Sequence, residues 1–264
     1  MTQIERLDRL ITLLIGEQQQ YRSVRVPDGA EQKRELFRAL VNVRAPFPAS
    51  DEFLGIQDAY LREELAAKGV TQIETLTPVK RGVYLWRGDI TTLAADAIVN
   101  AANSAMLGCF VPGHGCIDNA VHTYAGVQLR LECAALMRAQ GGEEPVGTAK
   151  ITGAYNLPCR YVLHTVGPVV NGAPSPLQQR QLAGCYRACL ETAERYALSS
   201  LAFCCIATGE FHFPHRRAAE IAVDAVENYR ADMRSDMKVI FNVYQKIDYD
   251  IYSELLGAGP KATE

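Results

Sequence analysis

The sequence predicts an α/β domain with a central sheet, preceded by a helical segment. Two observations predict this class. Up to about residue 69, apolar residues recur at three- and four-residue spacing, which is typical of amphipathic helices. From about residue 78, short runs rich in β-branched and aromatic residues alternate with helical patterns. We therefore divide the 264 residues into a helical N-terminal extension, 1–77, and an α/β domain, 78–264.

Three helices are predicted in the extension. The first has an apolar stripe formed by Ile4, Leu7, Leu10, Ile11 and Leu14. The second covers about 31–43, and the third starts at an N-cap, Ser50 or Asp51, and stops at Gly69. Because no reactive side chains coincide with an unusual backbone here, we interpret the extension as a structural cap on the α/β domain.

The α/β domain has six predicted strands and two predicted helices. The strands are at 83–86, 97–100, 148–155, 161–164, 200–206 and 238–244. The helices are at 177–196 and 216–229. This alternation predicts helices layered against a largely buried sheet.

Charge and hydropathy exclude two classes of partner. The chain has 27 Lys and Arg against 30 Asp and Glu, a formal net charge of -3. It therefore lacks the broad cationic surface that non-specific binding to nucleic acid requires, and we expect no nucleic-acid partner. No apolar run is long enough to span a bilayer, and the first residues lack the order of a secretory signal. We expect a cytoplasmic protein that is not associated with a membrane.

The eight cysteines are expected to be reduced thiols in that compartment. Six are interpreted as buried small hydrophobic residues: Cys133, Cys159, Cys185, Cys189, Cys204 and Cys205. The other two, Cys109 and Cys116, lie with His114 in a loop rich in glycine and proline. Thiolates and imidazole are preferred zinc ligands, and three protein ligands leave a fourth position open, as in catalytic zinc sites. The alternative is two incidental cysteines in a mobile loop.

Three loops that follow predicted strands are candidate binding elements, because ligands of α/β sheets gather at the carboxyl ends of strands. The loop at 88–91 carries an acid, Asp89, and the loop at 100–103 carries two amides separated by small residues. The segment 207–214 enters a helix and has the composition of an anion-binding turn that could hold a diphosphate. Taken alone, the same segment is compatible with an ordinary turn.

The remaining histidines carry less information. His164 lies in a predicted strand and is interpreted as a core or rim residue, whereas His212 and His215 flank the 207–214 segment and could face solvent or ligand.

The ordered motifs of the α/β domain resemble those of macrodomains. They stand at 88–91 (Gly-Asp-Ile-Thr), 99–103 (Val-Asn-Ala-Ala-Asn), 151–152 (Ile-Thr), 161–168 (Tyr-Val-Leu-His-Thr-Val-Gly-Pro) and 207–209 (Ala-Thr-Gly). The resemblance, from about residue 80 to the C-terminus, implies a three-layer α/β/α sandwich with a mixed central sheet that binds ADP-ribose. With the Cys109, His114 and Cys116 loop and the helical extension, the chain resembles zinc-containing microbial macrodomains over its full length. That subfamily acts as protein ADP-ribose hydrolases, often alongside a sirtuin-like ADP-ribosyltransferase.

The resemblance also implies roles for individual residues. Asp89 would bind the adenine amino group, and Ile90 would contact the adenine and its adjoining phosphate through its backbone. Asn103 would meet the distal ribose, and Asp118 matches the acid of the hydrolytic loop. The diphosphate loop would be formed by Thr208, Gly209, Glu210 and Phe211. Tyr244 is the candidate for stacking on the adenine. The sequence departs from the usual macrodomain motifs at two places, and both departures fit the zinc subfamily. An insertion with cysteine and histidine replaces a poly-glycine run, and His212 replaces a common glycine.

These residues lead to a hypothesis for the reaction. Zinc held by Cys109, His114 and Cys116 would bind water or the distal ribose, Asp118 would act as base or orient the substrate, and Asn103 would fix the sugar. The predicted partners are ADP-ribose and an ADP-ribosylated protein. Three alternatives stay open: a zinc ion that only shapes the loop, a non-hydrolytic ADP-ribose reader, and a hydrolase of small derivatives such as O-acetyl-ADP-ribose.

Overall fold

The N-terminal part of the protein is a layer of three helices. A computed structural model describes residues 1–258, in which α1 is Gln3–Glu17, α2 is Ala30–Val43 and α3 is Asp51–Lys68. Thr2 and Glu5 form a capping box at the start of α1, and α3 ends at Gly69, whose φ of +86° suits glycine. The apolar faces of the three helices form a core of their own, which also contacts Val127 of the following domain.

The rest of the described chain is a sheet flanked by helices. The strands are β1 Thr71–Gln72, β2 Pro78–Lys80, β3 Val83–Arg87, β4 Leu93–Ala94, β5 Ala97–Ala102, β6 Ala149–Gly153, β7 Tyr161–Val166, β8 Ser200–Phe203 and β9 Lys238–Val243. The helices are α4 Ile117–Ala125, α5 Val127–Gln140, α6 Pro176–Arg195, α7 His215–Met233 and α8 Lys246–Leu256.

Seven strands form the main sheet in the order β2-β3-β9-β8-β5-β7-β6. The five inner strands are parallel, and the edge strands β2 and β6 pair antiparallel with their neighbours. The predicted mixed sheet and the helices at the N-terminus are therefore confirmed. β1 and β4 form a separate parallel pair. Because β1 precedes residue 78 and β4 follows it, the boundary between 77 and 78 stays a prediction.

Several elements differ from the sequence-based expectation. Strand β8 ends at Phe203 rather than at residue 206, since Cys204 and Cys205 already belong to the loop that leaves the sheet. Of the six cysteines interpreted as buried, Cys205 is only half-buried, and the others are buried. The sequence patterns did not predict helices α4, α5 and α8. Helix α4 is only nine residues long, which leaves little periodicity to recognise. Among residues 1–258, no helix combines the length and the apolar character needed to cross a bilayer.

The parallel strands bring distant loops together. The carboxyl ends of β3, β5, β8 and β9 lie at the same edge of the sheet, so the loops after these four strands are neighbours in space. Cross-strand register places Asn100 of β5 beside His164 of β7, and Trp86 of β3 beside Asn242 of β9. The candidate site lies at this edge.

Candidate active site

A cleft of about 780 Å³ opens at the carboxyl ends of the strands. Its volume lies within the range of small-molecule sites, roughly 300–1,000 Å³. The cleft is lined by all twelve residues singled out from the sequence: Asp89, Ile90, Asn103, Cys109, His114, Cys116, Asp118, Thr208, Gly209, Glu210, Phe211 and Tyr244. The structure therefore brings these residues together, while the role of each stays a prediction.

One end of the cleft is formed by the loop after β3. Asp89 caps a short 3₁₀ turn, Ile90–Thr92, and its Oδ1 accepts hydrogen bonds from the amide (3.0 Å) and the hydroxyl (2.6 Å) of Thr91. Its Oδ2 lies 3.7 Å from Lys68 Nζ of the N-terminal layer. Asn242 anchors this loop, since its Nδ2 donates to Gly88 O at 3.0 Å. Tyr244 is 76% exposed at the rim, which leaves its ring free to cover a flat ligand.

The middle of the cleft is formed by the loop between β8 and α7. Within the described residues, the backbone amides of 208–211 donate to no protein acceptor. A Cβ added to Gly209 would meet nothing within 4 Å, so the loop leaves open space in front of its backbone. His212 adopts a φ of +54°, a left-handed conformation that glycine favours. Free amides before a helix N-terminus suit a diphosphate.

Asp118 lies in the first turn of α4 at the other end of the cleft, and two amides hold its carboxylate. Asn100 Nδ2 donates to Oδ1 at 2.8 Å, and Asn103 Nδ2 donates to Oδ2 at 3.3 Å. Burial raises the pKa of Asp118 to about 6, and the hydrogen bond from Asn100 opposes this rise. The carboxylate is thus oriented by β5 and by the loop that follows it.

A buried polar chain continues behind Asp118. Asn100 Nδ2 lies 3.1 Å from His164 Nδ1, so that nitrogen accepts a hydrogen bond and the ring proton is on Nε2. Nε2 lies 2.9 Å from Thr152 Oγ1 and donates to it. Burial lowers the pKa of His164 to about 3, which keeps the ring neutral. The sequence indicated that His164 is a core or rim residue, but the hydrogen bonds that connect it to Asp118 depend on the tertiary structure.

Cys109, His114 and Cys116 form the third feature of the reactive end. One ligand atom from each lies within 4.8 Å of the other two. The Cys109 sulfur is 3.5 Å from His114 Nδ1, while His114 Nε2 lies 3.4 Å from Glu210 Oε1. The imidazole thus presents one nitrogen to the sulfurs and the other to a carboxylate, as metal-bound histidines do.

Cys116 also serves as the N-cap of α4, with its sulfur accepting a hydrogen bond from the Asn119 amide at 3.4 Å. Burial raises the pKa of the Cys116 thiol to about 12, the Asn119 amide opposes this rise, and the nearby Cys109 sulfur adds to it. A divalent cation would offset both the burial and the repulsion between the two sulfurs. The donor set of two sulfurs and one imidazole therefore fits zinc.

A second group of metal-ligating side chains lies deeper, formed by His122, Cys133 and His164. The proton that His164 Nε2 donates to Thr152 occupies the nitrogen nearest the Cys133 sulfur, at 3.8 Å. That nitrogen has no lone pair to offer a cation. We therefore assign this group to the polar core beneath Asp118.

Sequence reasoning missed one cleft residue from the N-terminal layer. Arg38 of α2 lines the cleft beside the three ligands, although the extension was interpreted as a cap. Its guanidinium donates to Asn119 Oδ1 and to the backbone carbonyl of His114. No motif around Arg38 signals this contact, because it depends on how α2 packs on α4.

Comparison with known proteins defines the class of this fold and site. Residues 99–222 match the family model described as Macro domain. Over 260 residues the chain is 52% identical to the protein-ADP-ribose hydrolase of Treponema medium, covering 97% of this chain and 100% of the relative. The chain therefore belongs to the macrodomain family.

Two further similarities support the assignment. The protein-ADP-ribose hydrolase of Staphylococcus aureus strain MSSA476 is 49% identical over 251 residues, which are 94% of each protein. The crystal structure of the Trypanosoma brucei macrodomain in complex with ADP-ribose has a TM-score of 0.65 and 31% identity, and the match covers 83% of this chain and 95% of that one. The similarity to the two hydrolases thus includes the N-terminal helical layer.

Proposed function

We propose that this chain is a zinc-assisted protein mono-ADP-ribose hydrolase. It cleaves the bond between the distal ribose of ADP-ribose and a modified side chain of a protein. The observation that carries the proposal is a single cleft with a loop of free backbone amides in its middle and, at one end, both Asp118 and the cluster of Cys109, His114 and Cys116. The names of relatives 52% and 49% identical over nearly the whole chain support the hydrolytic activity.

The cleft can hold ADP-ribose along its length. At the end formed by the loop after β3, Asp89 offers its Oδ2 to the adenine amino group, and Tyr244 can stack on the ring from the rim. The free amides of the loop after β8 receive the diphosphate. In this orientation the distal ribose would lie beside Asp118 and Asn103, together with its bond to the modified protein.

At the reactive end, Cys109, His114 and Cys116 would hold zinc. When bound, zinc supplies a Lewis acid or lowers the pKa of a water molecule to about 7. The Asp118 carboxylate accepts a proton or a hydrogen bond from water or from a ribose hydroxyl, since the two amides that hold it are donors and leave it acceptor capacity. We call the segment 103–116, which carries Cys109, His114 and Cys116, the ligand loop. The Asn103 amide donates hydrogen bonds both to Asp118 and to the carbonyl of Gly108 in this loop, so the amide expected to bind the sugar is connected to the ligand loop.

A protein ADP-ribose hydrolase also implies an enzyme that attaches ADP-ribose to the same substrate. We include a sirtuin-like ADP-ribosyltransferase in the proposal as that enzyme. The free thiols of all eight cysteines are consistent with a cytoplasmic location for this protein.

The test is a time course of ADP-ribose release from a mono-ADP-ribosylated protein, with metal analysis of the purified chain. Asp118→Asn keeps the shape of the side chain, and we expect release to slow by roughly 10²–10⁴-fold. Cys116→Ala should lower both metal content and turnover, while calorimetry should still detect ADP-ribose binding. A folded, metal-free Cys116→Ala protein with full turnover would reject zinc assistance.

Two further outcomes would identify the alternatives. Tight ADP-ribose binding with no release from protein would indicate a reader. Faster turnover of O-acetyl-ADP-ribose than of the modified protein, in direct competition, would indicate a hydrolase of small derivatives.

A further inference from the structure

The loop that carries the three ligands has little structure of its own. It runs from the end of β5 to the start of α4, contains no regular element, and includes several glycines and a proline. Such a segment loses considerable conformational entropy when it is fixed in one arrangement. Contacts from outside the loop must therefore hold His114 where its Nδ1 faces the sulfurs.

Helix α2 supplies the first of these contacts. Arg38 Nη2 donates to the backbone carbonyl of His114 at 2.9 Å. The same guanidinium donates to Asn119 Oδ1 through Nε at 3.1 Å and through Nη2 at 2.8 Å. Asn119 in turn donates from Nδ2 to the carbonyl of Val111 at 3.0 Å. One arginine thus joins the loop to the residue that follows Asp118.

Asn42, one turn further along α2, supplies the second contact. Its Oδ1 accepts a hydrogen bond from the Gly113 amide at 2.9 Å, and its Nδ2 donates to Thr123 Oγ1 of α4 at 2.9 Å. Asn42 is buried, so these bonds are shielded from competition with water. The backbone on both sides of His114 is therefore held by α2, directly or through Asn119.

The helix is itself fixed to the macrodomain. Arg130 of α5 is buried and donates from Nη1 to the carbonyls of Val41 (2.9 Å) and Arg44 (2.5 Å), at the C-terminal end of α2. Its Nε donates to the carbonyl of Leu107, at the start of the ligand loop, at 2.7 Å. The end of α2 and the start of the loop are thus joined through one side chain, which makes α2 a rigid support.

We propose that the N-terminal helical layer is part of the metal site, with Arg38 and Asn42 as positioning residues that set the affinity for zinc. The inference rests on the proposed function, since it concerns the same three ligands. Neither residue needs to touch the substrate or the metal, because both act through the backbone at 111–114 and through Asn119. Contacts of this kind around metal ligands change affinity by about 10–100-fold when removed.

The experiment measures zinc affinity of the full chain by competition with a chromophoric chelator. Arg38→Met removes all three hydrogen bonds and keeps much of the side-chain volume, and we expect about 10–100-fold weaker binding. Arg38→Lys can reach only one of its acceptors and should fall between Arg38→Met and the parent. Asn42→Asp keeps the acceptor for Gly113 and should bind zinc more tightly than Asn42→Ala.

The matched control is Arg34→Met, one turn earlier on α2. Arg34 pairs with Glu31 and Glu64 and contacts no part of the ligand loop, so zinc affinity should not change. Thermal unfolding of each variant with excess chelator separates general loss of stability from loss of metal affinity. If Arg38→Met does not fold, the zinc affinities of Arg38→Lys, Asn42→Asp and Asn42→Ala still test the inference.

A second readout is the absorption spectrum of the Co²⁺-substituted protein, whose visible bands depend on the geometry of the ligands. A changed spectrum in Arg38→Met, with the parent spectrum retained in Arg34→Met, would support the inference. Parent zinc affinity and parent spectrum in folded Arg38→Met and Asn42→Ala would overturn it. If the parent protein itself binds no zinc, the proposed function fails instead, so the two failures are distinguishable.

Discussion

His114 Nε2 lies 3.4 Å from Glu210 Oε1, which brings the loop that carries the three candidate ligands close to the loop between β8 and α7. The other ring nitrogen faces the Cys109 sulfur at 3.5 Å. A carboxylate beside Nε2 electrostatically favours the tautomer that has its proton on Nε2 and leaves Nδ1 free to ligate. Glu210 therefore links the part of the cleft that would bind the nucleotide to the part that would carry out the reaction.

This relationship predicts that Glu210 tunes the metal site. Glu210→Ala should weaken zinc binding about tenfold, and Glu210→Gln should weaken it less because an acceptor oxygen remains. Chelator competition measures both. Glu220→Ala is the control, since Glu220 pairs with Arg216 and Arg217 away from the cleft. Parent affinity in Glu210→Ala would show that the carboxylate does not support His114.

Asn100 is predicted to position Asp118 for the reaction. Asn100→Ala leaves Oδ1 of a buried carboxylate without its donor, so we expect a lower kcat with little change in KM, and a loss of about 1–3 kcal/mol in the free energy of unfolding. Asn156→Ala is the control, because it removes a buried amide that donates to Asp58 and Ala125 instead. Equal kcat in the two variants would contradict the positioning role.

Gly108 is predicted to be required for the path of the ligand loop. Its φ is +82°, and an added Cβ would lie 2.8 Å from Cγ of His122. Gly108→Ala should therefore lower the free energy of unfolding by about 2–4 kcal/mol, through backbone strain and overlap with the ring.

Gly113→Ala provides the comparison for that variant. Gly113 also has a positive φ, +64°, but an added Cβ would meet nothing within 4 Å. Only the backbone strain remains, roughly 1–2 kcal/mol. Urea unfolding of both proteins measures the difference, and equal losses would mean that the His122 ring moves aside freely.

The buried His164 predicts a loss of stability in acid. Burial lowers its pKa from an ordinary value of 6.5 to about 3. Below pH 6.5 the unfolded chain takes up a proton on this histidine and the folded protein does not, so the free energy of unfolding falls as the pH falls towards 3. The slope from this residue is about 1.4 kcal/mol per pH unit.

Urea unfolding of the parent and of His164→Gln, with chelator present at every pH, measures this slope. We expect a shallower dependence between about pH 6 and pH 4.5 in the variant, because glutamine binds no proton there. Identical slopes would show that His164 does not stay neutral in the folded protein. His122, whose pKa burial also lowers, contributes to the slope that remains.

The sequence was sufficient for six of the seven strands of the main sheet and for twelve of the residues that line the cleft. Period and composition predicted the strands of the inner sheet, and short motifs along the chain contained the twelve residues expected to bind ADP-ribose or zinc, all of which line the cleft. The prediction succeeds because parallel strands bring the loops that follow them to the same edge of the sheet. A residue that directly follows a strand is therefore expected at that edge.

Besides the position of Arg38, the local sequence did not predict helix α4 or the contacts of Asn100. Helix α4 is short, and its N-cap is Cys116 rather than a common capping residue, so neither its length nor its N-cap predicted it. Asn100 sat in a recognised motif, but the motif could not show that its amide bridges Asp118 and His164.

What the sequence by itself determined is therefore the class of fold, the candidate cluster of two sulfurs and an imidazole, and the loops that form the cleft. Only the tertiary structure decided that the N-terminal layer supports the ligand loop. Arg38 and His114 are 76 positions apart, and their contact depends on the packing of α2 against α4. Periodicity reports which face of a helix is buried, but it does not report what that face lies against.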